Sequence, residues 1–96
     1  MDIGTVESAE VVVQSEKLNK LFVDFGGEKR TIYTAVRKWY PPEYFVGKSF
    51  FFVTNLPPRN MPDGGKSEGM IMAVDGEDGT PMFVPTGELP KGSRIH

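Results

Sequence analysis

The stretch "YPPEYFVGK", residues 40–48, constrains the fold of this chain more than any other. Pro41 and Pro42 end the extended run before them, because a proline ring fixes φ and removes a backbone donor. Pro42 suits the first turn of a helix, and Glu43 favours that N-terminus through the helix dipole. Gly47 is placed to stop the helix after about one turn. Everything around this interruption has β character. "IGTVESAEVVV" (3–13) predicts a first strand, and "KLFVDF" (20–25) a second with Leu21, Val23 and Phe25 on one face. The tight "GGE" turn at 26–28 joins it as a hairpin to a third strand, "KRTIYTAVRKW" (29–39). "SFFFVT" (49–54) predicts the fourth strand and "MIMAV" (70–74) the fifth, with a long Pro- and Gly-containing loop between them. "DGEDG" (75–79) reads as a turn, "PMFVP" (81–85) as a short added strand, and a Gly/Pro-rich tail follows. With 11 glycines and 8 prolines in 96 residues, many turns and short strands are expected.

Five strands with a short helix between strands 3 and 4 is the order of the OB-fold. The expectation is therefore an all-β, five-stranded Greek-key barrel whose helix plugs one end. A two-layer sandwich and an SH3-like barrel share the strand count, and the helix position separates them. The length fits one domain, 1–96. OB barrels take oligonucleotides on the face of strands two and three, flanked by the loops after strands one and four. The 55–70 segment is the second of those loops.

The sequence argues against catalysis. There is no cysteine, and the one histidine is the terminal His96, so neither a nucleophile–base pair nor a thiolate or imidazole metal site can be assembled. Asp75, Glu77 and Asp78 lack the ligand spacing of a calcium loop and read as a solvated turn. "GGK" at 64–66 lacks the remaining spacing of a phosphate loop. No catalytic residue, metal or cofactor is expected. No segment reads as a targeting or membrane-spanning stretch, so a cytoplasmic protein is the expectation.

The net charge of −2 hides an uneven distribution. Residues 1–28 hold two basic and six acidic side chains, a balance of −4. Residues 29–66 hold seven basic and two acidic ones, +5, and residues 67–96 return to −3. A positive middle can form one basic face for a polyanion, or can simply solvate several strands. Arg37 and Lys38 adjoin Trp39 and Tyr40, the set that holds unpaired bases and phosphates, although an aromatic pair also packs under a helix. Arg59 and Lys66 lie in the loop, where no core demands them. Asn55 and Ser67 bracket that loop with donors and acceptors suited to base edges, ribose hydroxyls or the loop's own backbone. Met70 is either core or an adaptable exposed contact.

Taken together, "KLNKLFVDFG", "YPPEYFVGK", "NLPPR" and "SEGMIMA", in this order and spacing, closely resemble the tRNA-binding OB-fold domain. That domain is found in methionyl-tRNA synthetases, some tyrosyl-tRNA synthetases, the endothelial monocyte-activating polypeptide and free-standing tRNA-binding proteins. The resemblance runs from about Asp2 to Ile95. It implies binding of structured tRNA through the stretches matched here by Asn55, Leu56, Pro58 and Arg59 and by Ser67, Gly69 and Met70, possession of no chemistry of its own, association with an aminoacyl-tRNA synthetase, and a homodimer; Arg37, Lys38 and Lys66 join as the cations read from the sequence beside them. The related CsaA-like secretion chaperones imply a peptide-binding alternative, and a protein–protein docking domain is a third. Three departures stand out, one of them Thr34-Ala35 where the family's third strand usually carries a Ser-Gly or similar pair. Where the family carries a His-Pro-containing segment after the first strand, this chain has only "SEKL", and Asp63 interrupts the basic loop.

Overall fold

The computed structural model describes residues 2–75 and 80–83. The chain runs through β1 (Asp2–Val11), β2 (Asn19–Asp24) and β3 (Lys29–Thr34), then a single turn of 3-10 helix, Pro42–Tyr44. β4 (Ser49–Val53) follows, then the small strands β5 (Arg59–Asn60), β6 (Lys66–Ser67), β7 (Met70–Ile71), β8 (Ala73–Asp75) and β9 (Pro81–Phe83). The principal sheet is antiparallel in the order β3-β2-β1-β4-β7. It curls because β1 changes register between Val6 and Ser8, and a bulge there bends and twists the strand. The first part of β1, from Asp2 to Thr5, pairs with β4, and the part from Thr5 to Val11 pairs with β2, so Thr5 lies opposite both Asp24 and Ser49.

The alternation in β2 drives Leu21 and Val23 inward, where they meet Val6, Ile32, Phe50, Phe52 and Ile71 in one core. The helical turn closes the end of this core as expected. Pro42 opens it, and Gly47 leaves it at φ +80°. Its purpose is Phe45, fully buried with its ring among those of Tyr44, Phe50 and Phe83. Tyr40 joins that cluster, stacking 4.6 Å from Tyr44, so of the aromatic pair it is Tyr40 that packs under the helix. The all-β OB-type barrel with its short helix between β3 and β4 is therefore the architecture found.

Two strand boundaries differ from the sequence reading. The third strand stops at Thr34 and does not reach Trp39, because Val36 O accepts both Trp39 N–H and Tyr40 N–H in a turn while Arg37 N–H goes to Lys17 O. The "MIMAV" run is divided between two sheets. Met70 and Ile71 extend the principal sheet, and Ala73–Asp75 pairs instead with Pro81–Phe83. The interior of the "DGEDG" turn and the tail from residue 84 lie outside the described residues.

β3 and β7 do not share a ladder. The gap between them is closed by residues 67–69. Glu68 N–H donates to Thr31 O at 2.8 Å, and Tyr33 N–H donates to Ser67 Oγ at 3.1 Å. Arg30 Nη1 caps two carbonyls across the same gap, Thr54 O at 2.8 Å and Glu68 O at 3.1 Å.

Candidate nucleic-acid interface

The long loop after β4 is itself folded. Arg59 lies opposite Ser67 and Asn60 opposite Lys66 in a two-stranded ribbon. Its tip is turned by Met61 N–H to Gly65 O at 2.9 Å and Gly64 N–H to Met61 O at 3.1 Å. Two hollows flank the ribbon. The larger, about 710 Å³, lies between it and the connection before β2, and is lined chiefly by Leu18, Ala35, Leu56, Pro58, Met61 and Met70 with Arg59 at its edge. The smaller, about 330 Å³, lies under the ribbon against the outer face of β2 and β3, with Lys20, Phe22 and Tyr33 facing Gly65 and Lys66.

The residues singled out from the sequence are divided by this geometry. Arg59 and Met70, both exposed, share the larger groove, and Lys66 reaches the smaller one. Ser67 also borders the large groove, but its side chain is 6% exposed and its hydroxyl is committed, accepting from Tyr33 N–H and donating to Gly69 O at 3.0 Å. Asn55 is exposed where the chain leaves β4 and lines neither hollow. Lys38 is exposed, with its ammonium 5.4 Å from the Trp39 ring. Arg37 is half-buried and directs Nε to Glu16 O at 3.0 Å and Nη1 to Val12 O at 3.1 Å, tying down the connection between β1 and β2.

The commitment of Ser67 has a measurable result. Ser67→Ala leaves the buried Tyr33 N–H without its acceptor, a loss of about 1–3 kcal/mol. Thermal denaturation should show the midpoint falling by at least several degrees. A variant that melts with the wild type would show that the hydroxyl is not part of the seam.

Asp63 has partners that its neighbours in the sequence do not announce. It does not neutralise Arg59 or Lys66; it reaches across to the barrel. Both its carboxylate oxygens lie 2.8 Å from the Tyr33 hydroxyl, Oδ1 accepts Gly65 N–H at 2.9 Å, and Oδ2 pairs with Lys20 Nζ at 3.3 Å. The Gly65 amide, the Tyr33 hydroxyl and the Lys20 ammonium together hold this carboxyl below its ordinary value of 3.8, against the opposing effect of burial. The Tyr33 hydroxyl and the Asp63 carboxylate hold Lys20 above its ordinary value, and burial pushes the Tyr33 phenol up.

The sign of the pH dependence follows. A carboxyl whose folded-state value is depressed adds stability that is complete above its unfolded value, here 3.8, and is lost as pH falls through the lower folded value. The ribbon is thus expected to stay fastened at neutral pH and to loosen only in acid below the ordinary carboxylate range. An NMR titration should place the Asp63 midpoint below 3.8, with the Gly65 amide shift following the same curve. Tyr33→Phe, which removes one donor, should raise that midpoint, and an unshifted midpoint would refute the account.

A small antiparallel barrel that extends a cationic ribbon beside an apolar groove, next to its second and third strands, belongs to the OB-type nucleic-acid-binding barrels. Residues 1–94 match the family model described as "Putative tRNA binding domain". The chain belongs to this tRNA-binding domain family, as the resemblance in its ordered motifs implied. It is 39% identical over 94 residues to the methionine–tRNA ligase of Porphyromonas gingivalis, and 42% identical over 92 residues to that of Clostridium tetani. These alignments take in 97% and 94% of this chain but 14% of each relative, so the chain spans about one seventh of their length. Among solved structures it superposes on a MetRS related protein from Pyrococcus horikoshii with TM-score 0.90 and 41% identity, covering 99% of this chain and 87% of that one. It superposes on chaperone CsaA from Bacillus anthracis with TM-score 0.83 and 32% identity, covering 99% and 88%.

Proposed function

We propose that this chain is a non-catalytic tRNA-binding module, free-standing or an accessory to a methionyl-type aminoacyl-tRNA synthetase. The observation that carries the reading is the placement of Arg59 and Met70 on one groove with Lys66 on the same ribbon, in a chain whose relatives include methionine–tRNA ligases. Arg59, Lys66 and Lys38 dock on phosphates, while Met70 and Asn55 fit the nucleotide surface. Ser67 acts by holding the ribbon's base, and Arg37 by bracing the neighbouring connection. Such a module raises the local concentration of tRNA at a synthetase and performs no chemistry itself. A cytoplasmic location and a homodimer belong to the same proposal.

Bulk tRNA titrated against the wild type and an Arg59→Ala/Lys66→Ala double variant tests it. The loss of two phosphate contacts should weaken binding by at least tenfold at low salt, with an unchanged melting temperature. Equal affinities for the two proteins would overturn the assignment to the ribbon.

A second reading, a peptide-binding chaperone, draws on the apolar lining of the large groove by Leu56, Met61 and Met70 and on the likeness to chaperone CsaA. An unfolded polypeptide titrated in parallel separates the two. Peptide binding that Met70→Ala abolishes, with no tRNA shift at low salt, selects the chaperone.

A further inference from the structure

The ladder between β4 and β7 ends at Val53 and Met70, and antiparallel pairing resumes in the ribbon at Arg59 and Ser67. Between these points the outgoing limb of the loop runs through residues 54–58, and the returning limb through 68 and 69 alone. Limbs of unequal length cannot form a continuous ladder, so backbone pairing does not fix the angle at which the ribbon leaves the sheet. The surplus in the outgoing limb brings Leu56 and Pro58 into the wall of the large groove, and Arg59 follows directly.

Arg30 sits at this break. Its Nη1 donates to Thr54 O at 2.8 Å and to Glu68 O at 3.1 Å, one carbonyl from the foot of each limb. Glu28 Oε1 steers the guanidinium by accepting Nε at 2.8 Å, and the side chain is 25% exposed. The limbs are pressed close here, since a Cβ on Gly69 would fall 2.8 Å from Val53 O. They differ in what else secures them to β3. The returning limb also has Glu68 N–H on Thr31 O and Ser67 Oγ on the Tyr33 amide. The outgoing foot meets β3 through Arg30, and the Thr54 hydroxyl donates to Asp2 on β1 from the other side. A planar fork holds two carbonyls and a carboxylate in one fixed arrangement, which a flexible ammonium does not.

We propose that Arg30 is a positioning residue for the tRNA site: it pins the outgoing limb and so fixes where Arg59 meets a phosphate. The proposal rests on the tRNA reading and adds to it a residue that does not touch the ligand. Nε and Nη1 of Arg30 are spent within the barrel, and its effect passes through Arg59. Lys66 keeps its place without Arg30, because the returning limb has its own holds.

Bulk tRNA titrated at several salt concentrations against Arg30→Met, Arg59→Ala and the double variant tests this, at a temperature where circular dichroism shows each folded. Each single variant should lower the log–log salt slope by about 0.9, the share of one phosphate contact, and the double variant by no more. A double variant that loses about 1.8 would make Arg30 a phosphate contact in its own right and overturn the proposal. An Arg30→Met slope equal to that of the wild type would overturn it as well. Arg30→Lys keeps the charge without the fork and should still bind several-fold more weakly, so full wild-type affinity would count against the pin. NMR relaxation without tRNA keeps the two readings apart. In Arg30→Met the order parameter of the Arg59 amide should fall from about 0.85 to below about 0.6, with that of Glu68 unchanged. An unchanged Arg59 value overturns the pin whatever tRNA does. A fall in a protein whose wild type binds no tRNA counts only against the tRNA reading.

Discussion

Phe45→Ala is expected to take away a large share of the barrel's stability. The ring is fully buried and meets four others, with centroids at 5.2 Å from Phe83, 5.3 Å from Tyr44, 5.6 Å from Phe50 and 6.2 Å from Tyr40. Truncation removes the transfer free energy of the ring and leaves a cavity, together about 3–5 kcal/mol. A domain of this size is stable by only about 5–15 kcal/mol, so the loss takes a large share of the whole. Partial collapse is hindered because the helical turn is held at both ends, by Phe45 N–H to Pro42 O at 3.1 Å and by Gly47 N–H to Val6 O at 2.8 Å. Circular dichroism should show the melting midpoint falling by roughly 12–30 °C. Val46→Ala one residue on, where the side chain is 44% exposed, should change it little. Similar melting curves for the two variants would mean that the turn does not plug the barrel.

The second large effect is on salt. On the proposed reading, with Lys38, Arg59 and Lys66 each neutralising one phosphate, the expected log–log slope is about −2.7 for duplex-like RNA. Raising salt fourfold should therefore weaken tRNA binding by roughly 40-fold. Arg59→Ala should reduce the slope by about one, whereas Arg37→Ala should leave it nearly unchanged because that guanidinium is spent on Val12 O and Glu16 O. A flat salt response would exclude phosphate docking, and a slope lowered equally by both variants would remove the distinction drawn between these arginines.

What could be read from residues alone was what leaves a local mark. Pro42 and Gly47 bound the helical turn by their backbone chemistry, and "GGE" announces the β2–β3 hairpin, where Phe25 N–H reaches Glu28 O at 2.8 Å. The inward set Leu21, Val23, Ile32, Phe50 and Phe52 follows from strand alternation. The ordered words "NLPPR" and "SEGM" identified the family, yet not their own tasks. Ser67 reads as suited to base edges, ribose hydroxyls or the loop's own backbone; its hydroxyl does hold the loop backbone at Gly69 O, and it also accepts the Tyr33 amide 34 residues earlier. Asp63 was read as diluting the cations beside it, while its partners Lys20 and Tyr33 are 43 and 30 residues away. Polar pairs at such separations impose no periodicity, so nothing near either residue signals them. The end of the third strand was missed for a related reason: its β-rich sequence continues to Trp39, but Lys17 O captures the Arg37 amide.

The way residues 67–69 complete the barrel has a consequence for the chain before it is finished. β3 has a full ladder on one side only, to β2. Its other margin is covered by three residues that arrive more than thirty positions later in the chain. Until they arrive, β3 is a bare strand margin with open amides and carbonyls, the kind of surface that recruits a neighbouring molecule. Lys29 and Arg30 stand at the start of that margin, paired with Glu7 and Glu28 respectively. The seam of the barrel therefore closes only when residues 67–69 have joined β3, so the sheet stays incomplete until late in the chain.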